Sequence, residues 1–143
     1  MTMEQNKQVA QDFLHAVGQG DVAAVDKLLA DDFTWRVAAA VPESHHPLPA
    51  IQTREEFLAG VSGMRDVWVD GLVYRIHGVL ADGDKVAIEA SGEGSTLGLD
   101  FRNRYCFFLE LRDGLVAGGR EYLDFAYLKA FQARMAERMS QTG

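Results

Sequence analysis

Apolar residues recur at helical spacing in two stretches near the start of the chain. Val9, Ala10, Phe13, Leu14 and Val17 share one face across residues 4–17, and Gly18 and Gly20 end that periodicity. Asp21 stands where an N-cap is needed, ahead of Val22, Val25, Leu28 and Leu29, so the spacing predicts a second helix. Residues 33–41, rich in aromatic and β-branched side chains, predict a strand, and a loop holding Pro42, Pro47 and Pro49 follows it. Thr53 and Glu56 form a capping box before Phe57, Leu58 and Val61, which predicts a third helix reaching about Gly63.

From residue 67 to residue 124 the pattern changes to alternation. Trp68, Leu72, Tyr74 and Ile76 alternate with Val67, Val69, Val73, Arg75 and His77, and Asp82-Gly83 marks a hairpin into Val86, Ile88 and Ala90. A further strand over 101–112 turns at Asp113-Gly114 and returns over 115–124, and a closing helix aligns Leu128, Phe131, Met135 and Met139. Both faces of the strands are fairly apolar, as expected where each side is covered. The order predicts an α+β fold: a cone-shaped, curved antiparallel sheet wrapped around the N-terminal helices, with residues 1–143 as one domain.

The last hairpin allows a register argument. In its first strand Phe101, Phe107, Leu109 and Leu111 make the odd face apolar, while Arg102, Arg104, Glu110 and Arg112 fall on the even face. In the second strand Leu115, Ala117 and Leu123 again mark the odd face as inner. A two-residue loop would pair Arg112 with Leu115 and set a polar face beside an apolar one, whereas a three-residue loop pairs Leu111 with Leu115 and makes the faces agree. On that register Tyr105 opposes Glu121, Asn103 opposes Leu123, and Arg102 opposes Asp124 on the outer face. The phenol of Tyr105 is then in reach of the Glu121 carboxylate. Glu121 is either a structural carboxylate at a wet rim of the sheet or an acid or base in a pocket. Cys106, Phe108, Val116 and Tyr122 share the outer face, which is too apolar to stay bare; another subunit or the chain's own first strands would cover it, and a homodimer is the expected arrangement.

Composition narrows the function classes. Fourteen Lys and Arg against 21 Asp and Glu give a net charge of −7 and a pI near 5.0, which argues against attraction to nucleic acid or anionic lipid. With one cysteine, Cys106, there is no internal disulfide and no cysteine metal cluster, in keeping with a reducing compartment. No long apolar run suggests a secretory signal or a membrane span, so a cytoplasmic protein is expected.

The opening helices with Gly20-Asp21, the pair Asp31-Asp32 before a strand, and the run from Asn103-Arg104-Tyr105 through Asp113-Gly114 to Arg120-Glu121-Tyr122-Leu123-Asp124 resemble the SnoaL-like proteins of the nuclear transport factor 2-like superfamily. The resemblance implies a cystatin-like α+β barrel with a pocket at its wide end, dimeric through the outer sheet. Polyketide cyclases, ketosteroid isomerases, limonene epoxide hydrolases, dehydratases and noncatalytic binding modules share that fold, which therefore does not choose among them. Position by position, the likeness mostly subtracts known chemistries. Phe13 stands where ketosteroid isomerase has its tyrosine oxyanion donor, and Val37 falls near that enzyme's general-base aspartate. Of the limonene epoxide hydrolase machinery only the last-strand carboxylate is matched, by Glu121; Ile88, Ala90 and Gly92 occupy the region of its Arg and Asp, and Trp35 that of its pocket tyrosine.

These readings give Glu121 and Tyr105 as candidate catalytic residues and Trp35, Val37, Asn103, Leu123 and His46 as candidate substrate-binding residues, with no metal and no cofactor expected. Adjacent on the proline loop, His45 and His46 are either solvated or lid residues that bring an imidazole to the pocket. His15 and His77 read as structural, Cys106 as a packing thiol, and the Leu128, Phe131 and Met135 stripe as core. The expected function is a cofactor-free isomerase, cyclase or hydrolase using Glu121 on a small, mostly apolar organic molecule. The alternatives are a noncatalytic metabolite-binding module and a dimeric structural or interaction domain of the same fold.

Overall fold

A computed structural model describes residues 1–38 and 51–142, so the prolines, His45 and His46 lie outside the described residues. The chain opens with α1 (Met3–Gly18) and α2 (Val22–Leu28), passes through β1 (Leu29–Val37), and resumes at β2 (Ile51–Thr53), α3 (Arg54–Ser62) and α4 (Met64–Val67). Four long strands follow, β3 (Val73–Asp82), β4 (Lys85–Thr96), β5 (Leu99–Arg112) and β6 (Leu115–Leu123), before α5 (Phe125–Thr142). The fold is α+β, with a six-stranded, curved and unclosed sheet in the order β2-β1-β6-β5-β4-β3.

Local chemistry fixes the helix starts. Asp21 caps α2 by accepting from the Ala24 N–H at 3.1 Å. Thr53 accepts from the Glu56 N–H at 3.2 Å while the Glu56 carboxylate accepts from the Thr53 N–H at 3.1 Å, so the expected capping box is present at α3. Thr2 and Gln5 make a second box at α1. The amphipathic faces of α1 and α3 meet β1 in a packed aromatic group, with Phe13 stacked on Phe57 at 5.8 Å and Phe33 edge-on to Phe57 at 4.9 Å.

Three expectations are corrected. The sheet is not wholly antiparallel, because β1 runs parallel to β6. Alternation reports which side chains share a face but is the same for either strand direction. The stretch at 67–72 is not strand: α4 ends at Val67, and Asp70 and Gly71, at φ 61° and 80°, turn the chain before β3 starts. Asp70-Gly71 is the same dipeptide signal as Asp113-Gly114.

The third correction concerns the last hairpin. Asp113 and Gly114 both have positive φ, 52° and 78°, the signature of a two-residue turn, and Arg112 pairs with Leu115. The conflict of faces that this turn creates is removed by a bulge. Leu111 pairs with Val116 but Glu110 pairs with Gly118, leaving Ala117 as an extra residue. Val116 is therefore fully buried instead of facing outwards, and beyond the bulge Gly119, Glu121 and Leu123 lie opposite Leu109, Phe107 and Tyr105. The odd residues of β6 face inwards from there on, but each is displaced by two from its expected partner. Tyr105 opposes Leu123 instead of Glu121, and Asn103 no longer faces Leu123. Arg102 pairs instead with Glu93, at 3.2 Å, and the Asp124 carboxylate accepts the Tyr127 N–H at the start of α5, so the expected Arg102–Asp124 ion pair is absent.

Removing Ala117 should undo the bulge and turn every later residue of β6 to the wrong face. Urea unfolding of the deletion variant is expected to show loss of the cooperative transition, whereas Ala117→Gly, which keeps the residue count, should cost about 1 kcal/mol or less.

Candidate functional site

Between the inner face of the sheet and helices α1, α3, α4 and α5 lies a cavity of about 500 Å³. Its wall is largely aromatic and aliphatic, with Trp35, Phe57, Trp68, Tyr74, Tyr105 and Phe131 prominent, and Glu121 is the acid on it. This is the size and character of a small-molecule site, a mostly apolar space with few polar groups.

Glu121 is placed there by its strand and held by a neighbour on the adjacent strand β1, 86 residues away in sequence. The Trp35 indole Nε1–H donates to Glu121 Oε1 at 2.9 Å. Trp35 lies beside Gly119 across the parallel β1–β6 pair, two residues short of Glu121, so the indole must lie along β6 to reach the carboxylate. A Cβ on Gly119 would come within 2.5 Å of the Trp35 ring and 2.7 Å of Leu109. The missing side chain is what lets the indole take that path. Gly92 plays a comparable part opposite, where a Cβ would meet the Tyr105 ring at 2.8 Å and the Tyr74 ring at 3.2 Å.

Protein surrounds the half-buried Glu121 carboxyl on nearly every side, apart from the opening to the cavity. Burial raises its pKa above the ordinary carboxylate value, and the Trp35 hydrogen bond, which favours the anion, offsets that only in part. Tyr74 and Tyr105 pack edge to face at 5.5 Å, and burial followed by the neighbouring acidic groups, Glu121 among them, raises both phenols well above their ordinary value. Both therefore stay as O–H donors throughout the physiological range.

Four of the residues expected at a pocket meet in this cavity: Trp35, Tyr105, Glu121 and Leu123. Tyr105 and Glu121 are diagonal neighbours on one face, and the donor to the carboxylate is Trp35, not the phenol. Asn103 is buried, its Nδ2 donates to the Asp124 carbonyl at 3.2 Å, and its Oδ1 accepts from the Arg104 N–H at 2.8 Å. Val37 is buried beside Glu121 across the parallel pair, without reaching the cavity wall. His46 lies outside the described residues. Tyr74 and Gln52 line the cavity without having been singled out from sequence; Tyr74 was legible as an inner-face residue of the alternation, while Gln52 had no signal at all.

A broader groove of about 800 Å³ lies on the other face of the sheet, where His77 Nε2 and Ser91 Oγ are 2.7 Å apart beside Arg102, Arg104, Cys106 and Tyr122. It is an open surface with a charged border, and Glu121 is not part of it. Among the described residues no group of three or more His, Cys, Asp or Glu is arranged to hold a metal ion, and no helix is long and apolar enough to cross a membrane.

The profile of the SnoaL-like domain matches residues 10–118. No curated protein has a matching sequence. Among solved structures, PrhC from Penicillium brasilianum is similar with a TM-score of 0.83 at 18% identity, covering 97% of this chain and 93% of its own. An epoxide hydrolase of the limonene epoxide hydrolase-like type from M. tuberculosis has a TM-score of 0.72 at 20% identity, covering 99% of this chain and 98% of its own. A protein of ketosteroid isomerase-like fold from Catenulispora acidiphila, in complex with trimethylamine, has a TM-score of 0.70 at 20% identity over 85% of this chain and 89% of its own. At these identities the likeness is one of fold, nuclear transport factor 2-like and cystatin-like.

Two measurements test the geometry. Trp35→Phe removes the donor that favours the anion, so the Glu121 titration, followed by the NMR shift of its carboxyl carbon, should move to higher pH; Gly119→Ala, by displacing the indole, should move it the same way. The second is stability against pH. A carboxyl whose folded pKa lies above its unfolded one contributes stability below the unfolded pKa, and that contribution is lost as pH rises through the folded pKa. Glu121→Gln should therefore melt at a higher temperature than the native protein at pH 8, with the gap closing as the pH is lowered to 4.

Proposed function

The chain belongs to the SnoaL-like domain family, and we propose that it is a cofactor-free enzyme moving a proton on a small, largely apolar organic molecule, with Glu121 as acid and base. The observation that carries this reading is a single carboxyl in an aromatic cavity, its pKa raised by burial and its orientation fixed by Trp35. With Oε1 engaged by the indole, Oε2 is the oxygen left to take or return a proton. Raising a carboxyl towards neutrality improves it as a general acid and leaves a stronger base once ionised.

The phenols complete the chemistry. Tyr74 and Tyr105 remain protonated, and an O–H directed at a carbonyl or leaving oxygen stabilises the negative charge that grows there as Glu121 withdraws a proton. Isomerisation, ring closure and addition or loss of water all contain such a step. Trp35 and Leu123 shape the wall, and Asn103 acts behind it by tying β5 to Asp124, the residue just ahead of α5.

The reading extends to assembly, as a single domain that pairs through its outer sheet. Tyr122 is 45% exposed there, Phe108 is half-buried under the Arg120 guanidinium at 4.8 Å from its centroid, and Cys106 is exposed between them. That mixture of aromatic and charged surface is suited to a second copy. Sedimentation equilibrium at micromolar concentration should give a dimer, and Tyr122→Glu should shift it to monomer; a native monomer throughout that range removes the pairing.

The proton-transfer reading is tested with 2-tetralone, an enolisable ketone of suitable size, in deuterated buffer. The native protein should accelerate exchange of the α-protons, followed by NMR, and Glu121→Gln should lower that rate by about 10²–10⁴-fold with the fold intact. Tyr105→Phe should lose less if the phenol only tunes the carboxyl and a comparable amount if it binds the developing oxyanion. Binding without exchange would replace the enzyme with a noncatalytic binding module.

A further inference from the structure

Gln52 is 3% exposed, lies on the cavity wall, and has no side-chain hydrogen-bond partner among the described residues. Burying an amide without partners is destabilising, because its lost hydration is not replaced. Yet among the described residues no polar side-chain atom is both sealed from open space and unpartnered. The Gln52 amide must therefore keep a contact with open space, and for a residue this enclosed that space is the cavity.

Its position relative to Glu121 follows from the sheet. Gln52 pairs with Trp35 across β2 and β1, Trp35 pairs with Gly119 across β1 and β6, and Glu121 lies two residues beyond Gly119. Two strand spacings in one direction and two residues along β6 in the other put the two Cα atoms about 12 Å apart. The Trp35 indole, already committed to Glu121, lies between them. Apart from the Gln132 amide on α5, the polar groups of the wall thus fall at two poles separated by an aromatic floor, one an acid flanked by two phenols and the other an uncharged amide that both donates and accepts.

We propose that Gln52 is a specificity-determining residue, which reads an uncharged hydrogen-bonding substituent, a hydroxyl or a carbonyl, at the end of the substrate remote from the reacting atom. The proposal rests on the cavity being the substrate site and assigns the ligand class more narrowly: a ring compound with one oxygen function at each end. A wall amide rejects a ligand lacking its partner because the amide then loses its water and gains nothing. A purely apolar ring leaves Gln52 unpaired. A charged substituent there would be buried with no opposite charge supplied by Gln52.

The test compares 2-tetralone with 6-hydroxy-2-tetralone, whose hydroxyl lies at the far end of the bicycle from the ketone. Affinity is read from quenching of Trp35 and Trp68, both on the cavity wall. The native protein should bind the hydroxylated compound at least about tenfold more tightly, as expected for one well-made buried hydrogen bond. In Gln52→Leu, and in the more flexible Gln52→Met, that preference should fall below about twofold while the affinity for 2-tetralone is retained or increased, which also shows that the cavity is intact. Equal binding of the two compounds by the native protein, or an undiminished preference in both variants, overturns the role of Gln52 and leaves the proton-transfer reading standing. Binding of neither compound overturns both. Discrimination without α-proton exchange supports the role of Gln52 and removes only the enzyme reading.

Discussion

A carboxyl group enclosed by aromatic rings has lost most of its hydration, and the rest of this cavity is organised around how that loss is met. The Trp35 indole supplies one directed N–H, enough to orient the Glu121 carboxyl and to leave its pKa raised. A lysine or arginine in the same place would hold the group as a fixed anion. One neutral donor leaves both protonation states accessible.

That contact depends on features spread across the fold. Trp35 comes from β1 and Glu121 from β6, joined by a parallel pairing that brings residues 86 apart in sequence into one hydrogen bond. Gly119 clears the path of the indole, and the bulge at Ala117 decides that Glu121 faces inwards at all. Tyr74 and Tyr105 approach from β3 and β5 over the vacant side-chain position of Gly92. Small residues and an extra residue thus do as much to build the site as the groups that line it.

The two faces of the sheet differ in chemistry. The inner face carries Glu121 and few other polar groups, and these few are spaced apart by aromatic surface, as a pocket that orients a ligand by two or three contacts should be. The outer face carries ion pairs such as Arg75 with Glu93 and Arg102 with Glu93, together with exposed aromatic area at Tyr122.

Most of the elements, though not β2 or α4, and four residues of the cavity wall were legible along the chain. Helical spacing and the caps at Asp21 and Thr53 placed α2 and α3, alternation placed β4 to β6 within a few residues but began β3 too early, and parity put Tyr105, Glu121 and Leu123 on the inner face. These are properties of neighbours along the chain, and periods of 3.6 and 2 carry them. The hairpins β3–β4 and β5–β6 were legible as well, but the register of the second and the direction of β1 were settled only by packing between strands. A two-residue turn with a bulge and a three-residue turn give the same inward parity but partners two residues apart, so Tyr105 met Leu123 while Glu121 met Phe107. The direction of β1 against β6 has no trace in alternation, and with it went the Trp35–Glu121 bond and the position of Gln52. Side-chain parity is written in one strand alone, whereas register and direction exist only between two, where turn geometry, packing and the room left by glycine settle them together.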